Sequence, residues 1–252
     1  MSRIFFICAT KSRPALFRKK AYPFLLESGY NFLVGIEESQ VEEYEAQGEI
    51  RNVVTYQDNF GHVRAFHALA LEAKRRGAEF VFKIDDDVSG FTGVGNSGIL
   101  ANLPRFEASF DQYPKLGGIA FPYEQEFYRT ENKLYSHMNH RLQTCYLVRV
   151  DFFFCERRLS LSAFEDFAMF LEIVEAGFFT LLCPVNKIKC SPVGDTPGGL
   201  QDGARADRSA EALLKIQKLY SGFKISARQK PSKSWKVEPD MSKDKRLKKI
   251  AI

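Results

Sequence analysis

Along the first 90 residues, apolar positions follow two alternating rhythms. Short apolar runs stand at 3–10 (RIFFICAT), 30–37 (YNFLVGIE), 50–57 (IRNVVTYQ) and 79–84 (EFVFKI), each with the length and composition of a buried strand. Between them, 12–29, 38–48 and 61–77 carry apolar residues at helical spacing and close on Gly29, Gly48 and Gly77. Lys74, Arg75 and Arg76 crowd the end of the third, where the negative end of a helix dipole favours cations. Strands alternating with helices predict an α/β fold: a Rossmann-like, mostly parallel central sheet flanked by helices, in one domain. In such sheets the carboxyl ends of the strands form the ligand crevice, which brings 10–13, 57–61 and 85–87 together.

The second half is less regular. Residues 88–98 are Gly-rich and read as a loop, 115–133 and 146–155 as aromatic-rich strands, 162–177 as a strongly patterned helix and 178–185 as a strand. A Gly/Pro loop is expected at 191–203, then a helix over about 208–221. There is no internal repeat. No window approaches 18 uninterrupted apolar residues, so no transmembrane helix is expected, and the N-terminus reads as a first strand rather than a signal peptide.

Charge and cysteine usage refine this picture. From Lys224 onward there are ten Lys/Arg against three Asp/Glu, a net of +7, leaving 26 against 28, a net of −2, in residues 1–223. With Pro231, Pro239 and several serines, 224–252 reads as a basic C-terminal arm, extended or partly disordered. It is either a solvated tail or a polyanion contact. Cys8, Cys145, Cys155, Cys183 and Cys190 are odd in number and form no CxxC pair, which fits reduced thiols in a cytoplasmic protein and no zinc site.

The chemistry concentrates in two places. EFVFKIDDDVSGF (79–91) runs a strand directly into Asp85, Asp86 and Asp87. Such carboxylates suit Mg²⁺ or Mn²⁺ shared with a diphosphate, or alternatively form an Asp-rich turn. LSAFEDFAMFLEI (161–173) places Glu165 and Asp166 at the start of a helix. There they could serve as a general base and its neighbour, or simply favour the helix dipole. His137 and His140 have HxxH spacing without a third ligand and read as structural or acceptor-facing.

GHVRAFHALALEAKRRGAEFVFKIDDDV, with FEDF downstream, resembles glycosyltransferases of the GT-A fold. The resemblance implies a donor-binding half at 1–100 and an acceptor half at 101–223. It implies metal ligation by Asp87 and Asp85, and donor contacts from Thr10, Arg13, Arg64, Asp85 and Asp86. Asp166 becomes the base of an inverting transfer, with Glu165 beside it. A His expected after the Glu-Asp helix as a further metal ligand is missing, so either Asp195, a backbone group or water would take its place, or the metal would be held loosely by Asp87 and the diphosphate.

Length, IDDDVSGF, the late FEDF and the basic character further resemble phage glycosyltransferases associated with TET/JBP-type hydroxylases, which glycosylate hydroxymethylpyrimidines in DNA. That implies a nucleotide-sugar donor (UDP by default), a 5-hydroxymethylcytosine acceptor in DNA, residence in the host cytoplasm and no membrane partner. Arg129, Lys133 and Arg141, in an aromatic-rich stretch, become DNA contacts, or else surface cations on core strands. The rival readings are a polysaccharide or other non-DNA acceptor and a catalytically degenerate DNA-binding protein. A nucleotidyltransferase is disfavoured because ATKSRPALF has no glycine, and a dehalogenase-like phosphatase because three strands precede the aspartates. Oligomeric state is not legible.

Overall fold

A computed structural model describes residues 2–93, 98–126, 134–190, 205–229, 235–239 and 250–251. The first strand, β1 (Ile4–Ala9), is buried along its whole length and alternates its side chains between two cores. Phe5, Ile7 and Ala9 point to one face of the sheet, Ile4, Phe6 and Cys8 to the other, as the period of two requires. β1 is followed by α1 (Pro14–Lys19) and α2 (Ala21–Glu27). One helix was expected over 12–29, but the chain breaks at Lys20 (φ −114°, ψ −84°). The break puts Pro23 in the first turn of α2, where a missing N–H has no intrahelical partner to lose.

β2 (Asn31–Glu37), a 3₁₀ turn and α3 (Val41–Glu45), β3 (Val53–Tyr56), α4 (His62–Arg75) and β4 (Phe80–Asp85) complete the first half. These are the elements the periodicity predicts. β3, β2, β1 and β4 lie side by side in that order, all parallel. Gly61 caps α4 with φ +89°, a left-handed conformation that favours glycine. Ala65, Phe66, Leu69, Ala70 and Ala73 then seat the helix against Phe5, Ile7 and Val81.

The second half departs further from expectation. Val88–Gly93 is not loop but strand β5, paired antiparallel with a strand 100 residues away. Its glycines suggested a loop, yet Val88 is fully buried and Phe91 packs on the core. α5 (Ile99–Gln112) was not anticipated; Pro104 within it masks the spacing of Ile99, Leu103, Phe106 and Phe110, all buried. There follow β6 (Leu116–Ala120), β7 (His137–Met138), β8 (Tyr146–Arg149), α6 (Glu165–Glu175), β9 (Phe179–Leu182) and β10 (Asn186–Cys190), the partner of β5. The strand expected over 146–155 ends at Arg149 and becomes 3₁₀ turns.

α7 (Arg205–Leu219) precedes β11 (Ile225–Gln229), β12 (Trp235–Pro239) and β13 (Ile250–Ala251). Within the basic arm β11 and β12 pair antiparallel, and β13 pairs with β7. The central sheet therefore has nine strands, ordered β13-β7-β9-β6-β8-β4-β1-β2-β3, and the chain has the expected α/β architecture. β8 runs antiparallel between β4 and β6, while β6 and β9 are parallel. All five cysteines are free. Among the described residues no helix is long and apolar enough to cross a membrane.

The seat of α6 on β6 is close. A Cβ on Gly117 would lie 2.5 Å from Ile173 Cγ2 and 3.2 Å from Phe152 and Phe178. Gly117→Ala is therefore expected to overpack this contact and cost about 1–3 kcal/mol. Thermal unfolding checks it: a melting temperature equal to that of the unsubstituted protein would show that α6 is not seated this way.

Candidate active site

The alternation that buries β4 also aligns three of its side chains: Val81, Lys83 and Asp85 share one face. Lys83 is 1% exposed, at a position where an apolar residue would be expected. Its ammonium donates to Asp85 Oδ1 at 2.5 Å and to the Thr144 carbonyl at 2.9 Å, and lies 3.9 Å from Glu165 Oε1. The rings of Phe66 and Tyr146 enclose it, with centroids at 4.9 and 5.7 Å; Tyr146 is its cross-strand neighbour on β8. Burial alone would lower the lysine pKa, but Asp85 and Glu165 outweigh it and raise it well above the ordinary value.

Glu165 opens α6 and is gripped from a second side, with His62 Nε2 at 3.2 Å from its Oε1. Burial works against its ionised form, yet His62 and Lys83 prevail and hold the carboxyl below its usual range. Asp166 goes the other way: lost hydration and then the Glu165 charge push it up to about 6. Arg141 lies near enough to pull back. Asp166 Oδ1 accepts the Phe167 backbone N–H at 2.7 Å. The preceding Phe164 is in the left-handed region (φ 62°), strained backbone for a non-glycine residue at the threshold of the pair. One neighbouring carboxylate stays ionised while the other titrates near neutrality, the separation that acid–base chemistry uses.

The Asp triplet divides into three environments. Asp85 is held by Lys83. Asp86, expected to touch a donor, is turned inward instead: it is 2% exposed and accepts from Arg13 Nη2 at 2.6 Å and Thr10 Oγ1 at 2.9 Å. Because the single Thr10 proton goes to Asp86, Tyr44 OH donates to Thr10 Oγ1 at 2.7 Å and itself accepts the Arg13 N–H. Burial pushes Asp86 up to about 6, against the pull of Arg13. Asp87 is half-buried, with no side-chain partner among the described residues; burial and then Asp85 raise its pKa. Beside this group, Glu37 at the end of β2 accepts from Lys11 Nζ (2.7 Å) and the Asn59 N–H (2.9 Å).

Asp85, Asp87, Glu165 and Asp166 are thus gathered near Lys83, and Thr10 and Arg13 hold Asp86 beside them. Arg64 is not among them: it is exposed on α4 and makes no ion pair among the described residues. Arg129, Lys133 and the Gly/Pro loop expected at 191–203, with Asp195, lie outside the described residues. His137 hydrogen-bonds Ser136, and His140, buried, donates from Nδ1 to the Arg141 carbonyl. Among the described residues no group of three or more His, Cys, Asp or Glu is gathered as a metal site. Lys83, His62 and Tyr44 were missed by sequence reasoning. Lys83 alone left a signal, as a lone cation inside an otherwise apolar run.

The chain matches no protein-family model and no curated protein sequence. Among solved structures it is similar to residues 1–349 of Staphylococcus aureus TarS, at 12% identity over 86% of this chain and 72% of that one, with a TM-score of 0.48. A putative nucleotide-diphospho-sugar transferase from Desulfovibrio desulfuricans G20 is 11% identical over 87% and 99% of the two chains, with a TM-score of 0.45. A CMP:2-keto-3-deoxy-manno-octonic acid synthetase complexed with CTP is 13% identical over 86% and 100%, with a TM-score of 0.48.

The three aspartates make a sharp test. Asp86→Ala strands the Arg13 guanidinium and should cost about 3 kcal/mol, as removal of one partner of a buried pair does. Asp87→Ala removes an unpartnered carboxylate and should leave the melting temperature unchanged or higher. Denaturant unfolding of both variants checks this; equal losses would mean that the triplet is not divided as described.

Proposed function

We propose that this protein is a metal-dependent glycosyltransferase that moves a sugar from a nucleotide-sugar, UDP-linked by default, to a hydroxyl group with inversion. The observation that carries the reading is that Asp85, at the end of β4, and Glu165, at the start of α6, share one buried ammonium, with Asp87 two residues beyond the first and Asp166 next to the second. The donor set fits a divalent cation: Asp87 is a recessed carboxylate with no ion pair among the described residues, and hard oxygen ligands suit Mg²⁺ or Mn²⁺. Asp87 and Asp85 would hold the ion, with the donor's diphosphate completing its shell, and the ion would neutralise charge on the leaving diphosphate.

The chain's own residues do the rest. Asp166 takes the proton of the acceptor hydroxyl as that oxygen bonds to the anomeric carbon. The bond from the carbon to the diphosphate oxygen breaks, and its electron pair leaves with the nucleoside diphosphate. Glu165, held ionised by His62 and Lys83, raises the proton affinity of Asp166 and so makes it the stronger base. Arg13, anchored through Asp86, presents a cation to the donor side.

For the acceptor, the resemblance to phage enzymes points to the hydroxymethyl group of 5-hydroxymethylcytosine in DNA. The net +7 of the C-terminal arm supports a polyanion partner, and Arg141 near Asp166 supports an anionic group there. A base in a duplex would have to flip out of the stack to reach Asp166.

Transfer from radiolabelled nucleotide-sugars onto 5-hydroxymethylcytosine DNA and unmodified DNA, with Mn²⁺ or EDTA, tests all parts. Label is expected on the modified DNA alone and should vanish with EDTA. Metal-dependent hydrolysis of one donor without labelled DNA would keep the transferase and discard the DNA acceptor. Silence on both would favour a catalytically degenerate protein.

Asp166→Asn should retain donor binding and lose kcat by roughly 10²–10⁴-fold. Because the base must be ionised and its carboxyl sits at about 6, kcat should fall as pH drops through that value and level off above it. A flat profile from pH 5 to 8 would remove Asp166 as the base.

Replacing Lys245, Arg246, Lys248 and Lys249 with Ala should weaken DNA binding and flatten its dependence on log salt by about 0.9 for each phosphate left without its cation. An unchanged slope returns the arm to a solvated tail.

A further inference from the structure

A lysine in the middle of a sheet is costly to keep. Its ammonium leaves water, and only close partners on every side offset that loss. Lys83 has them. Asp85 lies at 2.5 Å on its own strand, the Thr144 carbonyl at 2.9 Å just ahead of β8, and Glu165 at 3.9 Å on α6, with two ring faces closing the remainder. The three oxygens come from separate segments of the chain, and nothing else described connects Asp85 to Glu165. An apolar side chain would fill the same slot in the core without the loss of hydration. A charge kept there does something that packing does not.

We infer that Lys83 is a positioning residue: its ammonium fixes the separation of the donor-side carboxylate Asp85 from the base-side carboxylate Glu165 and so aligns the two halves of the transfer. The inference rests on the glycosyltransferase reading above. Lys83 touches neither substrate; it acts through the two carboxylates. Asp85 and Asp87 fix where the diphosphate sits, while Glu165 and the first turn of α6 fix Asp166. An error in that separation moves the attacking oxygen away from the anomeric carbon even when both substrates are bound. Loss of the ammonium should therefore appear in kcat more than in KM.

Steady-state kinetics on the full chain test this, with circular dichroism and melting temperatures measured alongside. Lys83→Met is expected to lower kcat about 100-fold, the size of effect that a misplacement of about 1 Å produces. The donor KM should change much less. If Lys83 works by holding Glu165, the variant carrying both Lys83→Met and Glu165→Gln should be no slower than the slower single variant. A double variant whose loss is the product of the two single losses overturns the role. So does Lys83→Met at full kcat, or with a raised KM alone.

If Lys83→Met does not fold, Lys83→Arg keeps the charge but replaces a compact ammonium with a broad planar fork. A folded Lys83→Arg protein should then show the same kcat loss, and full activity would overturn the role. An unsubstituted chain that turns over no nucleotide-sugar removes the glycosyltransferase reading and this role together. Turnover that is indifferent to Lys83 removes only the role.

Discussion

One buried ammonium constrains much of this molecule. Lys83 stands in the sheet at a place where charge is expensive, so the surrounding chain must supply acceptors or the fold loses stability. Asp85 from its own strand, the Thr144 carbonyl ahead of β8 and Glu165 from α6 answer that demand. Their contacts, at 2.5, 2.9 and 3.9 Å, place the carboxyl end of β4, the entry to β8 and the first turn of α6 around a common point. The acidic crevice is the outer surface of that arrangement.

Packing makes the arrangement rigid. α6 is buried on most sides and anchored far from the crevice, where Arg158 and the Tyr220 hydroxyl both bond the buried Glu172. α4 lies over β1 and delivers His62 to Glu165 at its amino end. On the opposite face Phe6, Phe82 and Phe121 stack in succession, at 4.8 and 5.1 Å between centroids, and carry β1 and β4 as one slab. Asp85, Glu165 and Asp166 therefore sit on regular elements backed by two cores, while Asp86 and Asp87 form the two-residue turn that joins β4 to β5.

How much of this the sequence shows depends on the range of the forces involved. β1 to β4, α4 and α6 were legible because periodicity is local and the flanking residues are ordinary helix stops. β5 was not, since its partner β10 lies about 100 residues on and its own residues read as turn formers. α5 was hidden by Pro104. In the triplet, the parity of β4 places Asp85 above Lys83, but nothing local says that Asp86 turns inward. Its partners are Arg13, 73 residues away, and Thr10, 76 residues away. The paired acids Glu165 and Asp166 were visible as a motif. Their unequal ionisation was not, because it combines the burial of Asp166 with the hold on Glu165 of His62 and Lys83, which belong to other elements.

The reversal of β8 has a further consequence. Because it runs opposite to β4, its beginning rather than its end lies beside the acids, and the connection that feeds it brings Arg141 and Thr144 there. One side of this group of acids is built by chain leaving a strand, at Asp85 and Asp87, and the other by chain entering one, at Thr144. The connection ahead of β8 can exchange its side chains without disturbing the pairing of β1, β2 and β4, because Lys83 takes from it only a backbone carbonyl.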